Sequence, residues 1–247
     1  MMGGTRIGVV GGGQLALMLG EAAAALGLDA FTILDPTPDC PAAHVATRRI
    51  VAGFADPAGL RELAAASDVL TFEIELAGAE VLAELAAAGA RVEPAPATLA
   101  TLQDKLRQKE HLAAAGVPVA PFRPVPAATP AGVAAAAAAL GYPLVLKARR
   151  GGYDGRGNAL VTGPADIAPA LARLAGRTLY AEAQAPFVRE LAVMVARTAT
   201  GAVAAYPVVE TVHTRHICEL TIAPAPVAPL VAERATAAAN RAIASLA

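Results

Sequence analysis

The chain has 247 residues, room for more than one compact unit, and a formal net charge of -1, which leaves no global positive field to recruit nucleic acid or an acidic membrane surface. Mean hydropathy is +0.49, but alanine supplies much of that excess, and the all-apolar runs fall far below the roughly 18 residues of a spanning helix. Cys40 and Cys218 lie far apart and fit no metal spacing, as expected for a reducing, cytoplasmic setting.

Residues 7–10 (IGVV) read as a strand running into a glycine turn and an alanine-rich helix over 14–26. A strand and turn so early, behind one arginine, is not a secretory signal. A strand over 30–34 ends at Asp35-Pro36. Then come a short strand at 50–51, a helix over 56–66 with Asp56 as N-cap and Pro57 at its first position, a strand over 69–72 and a helix over 77–88. This alternation predicts a parallel sheet with right-handed crossovers. Glu93-Pro-Ala-Pro96 breaks the rhythm and sets the first boundary. Beyond it the pattern predicts a helix over 98–115 with Gln103-Asp104-Lys105 in its middle, an extended connector over 116–121, and a helix over 129–140. Strands are predicted over 144–147, 159–162, 178–182, 190–196 and 202–210, and a last helix over 229–246. The fold expected is an α/β parallel-sheet, Rossmann-like domain over 1–96, followed by α+β lobes over 97–182 and 183–247.

Gly11-Gly12-Gly13-Gln14-Leu15-Ala16 follows a strand and opens a helix, with Asp35 about twenty residues on, which satisfies a dinucleotide fingerprint. Taken alone it predicts an NAD-dependent enzyme. Gln14 in the turn and the patterns downstream argue instead for a mononucleotide phosphate at this helix N-terminus.

A second glycine loop lies in Val145-Leu-Lys-Ala-Arg-Arg-Gly-Gly-Tyr-Asp-Gly-Arg-Gly157. Val145 and Leu146 read as a buried strand ending at Lys147. Successive glycines expose backbone N–H groups that can wrap phosphate oxygens, and Lys147, Arg149, Arg150 and Arg156 offset their charge. The spacing is not that of a P-loop, because no Gly-Lys-Ser/Thr follows. The alternative is a glycine turn with solvated arginines.

Tyr180-Ala-Glu-Ala-Gln-Ala-Pro-Phe-Val-Arg-Glu190 sets Glu182 at a strand end and Glu190 at the start of the next strand. A nucleotide site needs an apolar slot for the base, backbone groups at its edge and a carboxylate for the ribose, and these residues can supply the edge and the ribose contact. Against this, Glu190 can simply pair with Arg189 or another cation. His213 follows a strand, where a lone histidine is more often incidental than functional. Glu73 and Glu75 lie at a strand's C-terminal end, the ligand edge of an open parallel sheet, or else form a solvated helix entry.

With these segments assembled, the chain resembles the ATP-grasp superfamily and, within it, the carboxyaminoimidazole ribonucleotide synthetases of purine biosynthesis. The resemblance is carried by GGGQL at 11–15, LDP at 34–36, TFEIE at 71–75, QDKLRQK at 103–109, GVPVAPF at 116–122, LKARRGGYDGRG at 146–157, YAEAQAPFVRELAVMVAR at 180–197, YPVVETVH at 206–213 and APAP at 223–226. It implies a pre-ATP-grasp domain followed by ATP-grasp lobes, the last incomplete. It also implies a cytoplasmic, homodimeric ligase that uses ATP, Mg2+ and bicarbonate to carboxylate the exocyclic amine of 5-aminoimidazole ribonucleotide through carboxyphosphate, releasing ADP and phosphate. By positional match, Lys105 and Lys147 hold ATP phosphates and the loop of Gly152, Tyr153, Asp154, Gly155, Arg156, Gly157 and Asn158 closes over them. Glu182, Ala183, Gln184 and Ala185 line the adenine hinge, Glu190 takes the ribose and His213 approaches the nucleotide. Gln14, Leu15 and Glu73 match contacts to the acceptor ribonucleotide, and Tyr153, Asp154 and Arg156 organise bicarbonate and acceptor as the catalytic group.

Members of this family continue past the last helix into strands that carry the acidic magnesium ligands, whereas this chain stops at Ala247. The resemblance therefore assigns no metal ligand here and leads to the expectation of a truncated chain that carboxylates poorly. Three other readings stay open: an ATP-grasp ligase with a different acceptor, such as a formate-using relative; a noncatalytic nucleotide-binding fragment; and the dinucleotide dehydrogenase.

Overall fold

In a computed structural model, residues 4–152, 157–214 and 217–246 are described. They group into two compact units, Met1–Gln103 and Asp104–Ala247.

The first unit is a four-stranded parallel sheet in the order β3-β2-β1-β4, built from β1 (Arg6–Val10), β2 (Ala30–Asp35), β3 (Arg48–Val51) and β4 (Val69–Phe72). Crossovers are made by α1 (Gln14–Ala25) and α2 (Pro57–Ala65), with α3 (Ala79–Ala87) following β4. The sheet is apolar on both faces, so its strands read as runs of Val, Ile and Leu rather than as alternation. Val10, Leu34, Leu60, Leu63, Leu70 and Leu82 pack one side, and Val9, Ala16, Phe31 and Ile33 the other. Asp56 caps α2 as expected, accepting from the amides of Ala58 and Gly59 ahead of Pro57.

The helix predicted over 98–115 is in fact two, α4 (Pro96–Gln103) and α5 (Lys105–Ala114), broken at Asp104. Asp104 leaves helical geometry to cap α5, its carboxylate accepting from Leu106 and Arg107 amides. The unit boundary falls at this break rather than at Pro96. Leu99 of α4 is buried in the first unit's core, and Gln103 Nε2 donates to the carbonyls of Glu75 and Ala77, both at 2.7 Å.

The second unit contains an antiparallel sheet in the order β5-β8-β6-β7, from β5 (Phe122–Val125), β6 (Leu144–Ala148), β7 (Asn158–Val161) and β8 (Leu179–Ala183). The extended connector thus runs on into a paired strand. α6 (Pro130–Leu140), capped by the Thr129 hydroxyl on the Gly132 amide, and α7 (Ile167–Arg173), which the sequence pattern did not reveal, contribute Val133, Ala136, Ala137, Ile167 and Ala170 to its core. Further along, the strands predicted over 190–196 and 202–210 each divide. β9 (Glu190–Ala192) joins β12 (Val209–Thr214) and β13 (Ile217–Ile222) in a three-stranded sheet, while β10 (Val195–Arg197) and β11 (Val203–Ala205) pair as a hairpin. Pro207, which has no N–H for a ladder, separates β11 from β12. α8 (Pro229–Ser245) follows. Among the described residues no helix is long and apolar enough to cross a membrane.

Candidate functional site

The antiparallel register of the second unit brings the distant lysine and carboxylate of the sequence together. Strand β6 pairs with β7 and β8 so that Lys147 lies opposite Asn158 on one side and Tyr180 on the other. Two residues along β8 from Tyr180, on the same face, stands Glu182. Lys147 Nζ donates to Glu182 Oε1 at 3.1 Å. From α5, Lys109 reaches the other oxygen, Nζ to Oε2 at 3.1 Å. That second contact is an ion pair without hydrogen-bond alignment, and Oε2 is buried with no hydrogen-bond partner. Tyr180 is fully buried; burial first, then the nearby Glu182 charge, pushes its phenol well above the ordinary value, so it stays neutral.

Beyond β6 the chain enters the glycine loop, whose described ends meet. The Ala148 amide donates to the Gly157 carbonyl at 2.8 Å. A Cβ added to Gly157 would lie 2.6 Å from the Gly152 Cα, closer than side-chain carbons come to backbone, so only glycine allows this crossing. Gly151 has φ +63, a left-handed conformation that also favours glycine. Lys105, the first residue of α5, points its Nζ at the Gly152 carbonyl, and its own amide donates to the Arg149 carbonyl at 2.8 Å. Arg177 Nη1 donates to the Gly151 carbonyl at 3.1 Å. Asp104, 4% exposed, anchors the group: Arg149 grips it through Nε–Oδ1 at 3.0 Å and Nη2–Oδ2 at 2.6 Å, the bidentate fork suited to a carboxylate. Burial opposes its charge, but the bonds from Arg149 and the amides of Arg107 and Leu106 outweigh burial, and the carboxyl sits below its usual range.

Lys105, Lys147, Gly152, Gly157 and Asn158 therefore share one end of the β5–β8 sheet, and the Lys147 side chain reaches back along its face to Glu182, which stands opposite Val145 and Phe122. Tyr153, Asp154, Gly155 and Arg156 lie outside the described residues. In the predicted hinge, the amides of Ala183 and Gln184 are already occupied, donating to the carbonyls of Pro121 at 2.8 Å and Pro143 at 3.2 Å. Among the described residues the amide of Ala185 has no such acceptor, so of these three N–H groups it is the one able to meet a base edge. Glu190 and His213 also come together: β9 pairs with β12 so that Glu190 stands opposite Thr211, and His213 Nδ1 lies 3.0 Å from Glu190 Oε2. A register shift between Val212 and His213 marks a bulge, a feature that re-aims a side chain. Arg189, the expected surface partner of Glu190, pairs instead with Glu210 at 2.7 Å.

In the first unit the glycine turn ahead of α1 is held by the protein itself. All three amides are taken by the protein: Gly11 donates to the Leu34 carbonyl at 2.9 Å, Gly12 to Asp35 Oδ2 at 2.8 Å and Gly13 to Glu73 Oε1 at 2.9 Å. Asp35 is buried and its other oxygen accepts from the Thr37 amide at 2.8 Å, so it is a turn anchor and not a ribose ligand. Gln14 and Leu15, both exposed, follow directly, beside Glu73.

A model of the ATP-grasp domain matches residues 110–247, and one of the ribonucleotide synthetase pre-ATP-grasp domain matches residues 4–103. The chain belongs to the ATP-grasp family. It is 41% identical over 235 residues to the N5-carboxyaminoimidazole ribonucleotide synthase of Synechococcus elongatus, covering 95% of this chain and 58% of that protein. The carboxyaminoimidazole ribonucleotide synthase of Aspergillus clavatus complexed with ATP superposes with a TM-score of 0.93 at 40% identity, covering 99% of this chain and 64% of that one. The Aspergillus clavatus enzyme in complex with ADP and 5-aminoimidazole ribonucleotide gives 0.92 at 38% identity, again covering 99% and 64%. The chain thus spans about three fifths of the length of these relatives. Within the ATP-grasp unit, sequence reasoning passed over two residues that build the site, Lys109 and Asp104, and took Arg149 for a phosphate cation where it is the partner of Asp104. The signal for Lys109 was present, since it falls four residues after Lys105 and so on the same face of one helix.

Proposed function

We propose that residues 104–247 form an ATP site and that the protein serves as an ATP-dependent carboxyaminoimidazole ribonucleotide synthetase. In this reading bicarbonate is activated as carboxyphosphate, the exocyclic amine of 5-aminoimidazole ribonucleotide accepts the carboxyl group, and ADP and phosphate leave. The observation that carries the ATP site is the Lys147–Glu182 pair on adjacent strands, set beside a loop neck whose crossing at Gly157 leaves no room for a side chain. Lys147 and Lys105 supply charge to phosphate oxygens, the Ala185 amide and the Glu182–Ala185 backbone edge receive the base, and Glu190 with His213 lies at the ribose side. Positioned cations and backbone dipoles stabilise the charge that spreads over a transferring phosphoryl group. The acceptor half follows the relatives' names, with Gln14, Leu15 and Glu73 as contacts for the ribonucleotide. Tyr153, Asp154 and Arg156 organise bicarbonate and acceptor.

A homodimeric, cytoplasmic enzyme that uses magnesium is the form of this proposal. Among the described residues, no three His, Cys, Asp or Glu side chains gather to hold a metal ion. Asp104 and Glu182, close to the lysines, are already held by cations, so the phosphate-binding chemistry derived above is that of lysine and backbone. Calorimetric titration with ATP tests the site: Lys147→Ala should weaken binding by about 1.5–3 kcal/mol, the worth of a charge-assisted hydrogen bond, and unchanged affinity would remove Lys147 from it. Phosphate release that requires bicarbonate and aminoimidazole ribonucleotide together tests the chemistry; release with formate in place of bicarbonate would move the protein to another acceptor class.

A further inference from the structure

Glu182 has more positive charge around it than it needs. Its side chain is 12% exposed, and each oxygen faces a separate lysine, Oε1 to Lys147 and Oε2 to Lys109, both at 3.1 Å. Tyr180 beside it is kept neutral and adds no charge. A buried carboxylate with a single counter-ion holds that ion fast, because its departure leaves an uncompensated buried charge. With two, one can leave. Lys147 is the one placed to do so, at the end of β6 next to the glycine neck, while Lys109 comes from the middle of α5, a turn beyond the Lys105 contact to Gly152. The Lys109 contact also lacks hydrogen-bond alignment, and it leaves Oε2 with an acceptor position open. Lys109 can therefore tighten onto Glu182 as Lys147 departs.

We propose that Lys109 is a positioning residue for Lys147: it neutralises Glu182 so that the Lys147 ammonium can transfer from the carboxylate to a phosphate oxygen. Lys109 acts through Glu182 and does not itself touch the nucleotide. This rests on the ATP reading of the site and adds to it a residue, with a role that the sequence patterns did not assign.

The test is a double-mutant cycle read by calorimetric ATP affinity. In the wild-type background Lys109→Met should weaken ATP binding by about tenfold or more, because Glu182 then keeps Lys147. In a Glu182→Gln background the same change should alter affinity by no more than about twofold, since a neutral amide has no such hold. Lys109→Arg, which preserves the charge, should restore binding to near the wild-type value. Equal losses from Lys109→Met in both backgrounds would overturn the proposal and make Lys109 a direct ligand or a support of the fold; a lowered urea midpoint would mark the latter. If Lys109→Met does not fold, Lys109→Gln gives the same contrast. An unweakened Lys147→Ala variant would instead sink the ATP reading itself, an outcome separate from the result of the cycle.

Discussion

The glycines at 11–13 and those at 151, 152 and 157 both follow the end of a strand, and both free the backbone for close approach. Around the first, the nearest charges are the carboxylates of Asp35 and Glu73, which accept the amides of Gly12 and Gly13. Around the second, Lys105, Lys147, Arg149 and Arg177 surround the neck, and Asp104 is turned to hold an arginine rather than a glycine. A glycine pattern therefore specifies backbone freedom and nothing about the ligand. The sign of the side chains that fold against it decides whether the turn takes up an anion or is locked by one from within.

Removing the carboxylate at each loop is the strongest way to break that contrast. Asp104→Ala deletes both the α5 cap and the buried partner of Arg149, and should destabilise the second unit by about 3 kcal/mol in urea unfolding. Because the folded carboxyl of Asp104 is held below its ordinary value, its contribution is complete above the unfolded value and is lost as pH falls through the folded one. The variant should therefore lose part of the acid limb of the stability profile as well. Next in size, Gly157→Ala drives a methyl group into the Gly152 backbone, with an expected cost of about 1–3 kcal/mol and weakened ATP binding. Gly163→Ala, where the added methyl meets nothing within 4 Å, is its silent control. Smaller again, Asp35→Asn keeps one acceptor of two and should cost about 1 kcal/mol while leaving ATP affinity at the wild-type value. Weaker ATP binding in that variant would mean the two glycine turns are not separable in function.

The same contrast explains what the sequence could and could not reveal. The parallel sheet of the first unit follows from apolar runs alternating with helical stretches, and Asp56-Pro57 marks α2 without any tertiary information. Lys147 and Glu182 could be singled out too, because a strand end and a glycine loop are local patterns, and the structure pairs the two at 3.1 Å. Pairing is not local. That Glu190 meets His213, while Arg189 meets Glu210, depends on the register of β9 against β12 and on a bulge at His213. Asp104 was hidden for a different reason: within a run of good helix formers, an aspartate reads as a solvated helical residue until Arg149 and two amides are seen to converge on it. Likewise Asp35 matched a ribose-binding acid in spacing, and only the occupied amides of Gly12 and Thr37 show where its oxygens go.

The smallest expected effect is at Tyr180, and it sharpens the comparison through pH. Its phenol is buried beside Glu182, and both burial and that charge raise its folded value above the ordinary 10.0. The unfolded chain therefore releases this proton before the folded one does. The stability Tyr180 contributes is fully present below the unfolded value and is lost as pH rises through the folded one. At neutral pH Tyr180→Phe removes only a hydroxyl and should shift stability by about 1 kcal/mol or less. Above pH 10 the wild-type protein should lose stability with each further rise, and the phenylalanine variant should lose less, so the two urea midpoints converge. The Cys40 thiol, buried against the first glycine turn and likewise raised by burial, is common to both proteins and cancels in this comparison, so parallel midpoints through the alkaline range would show that Tyr180 is not desolvated against Glu182.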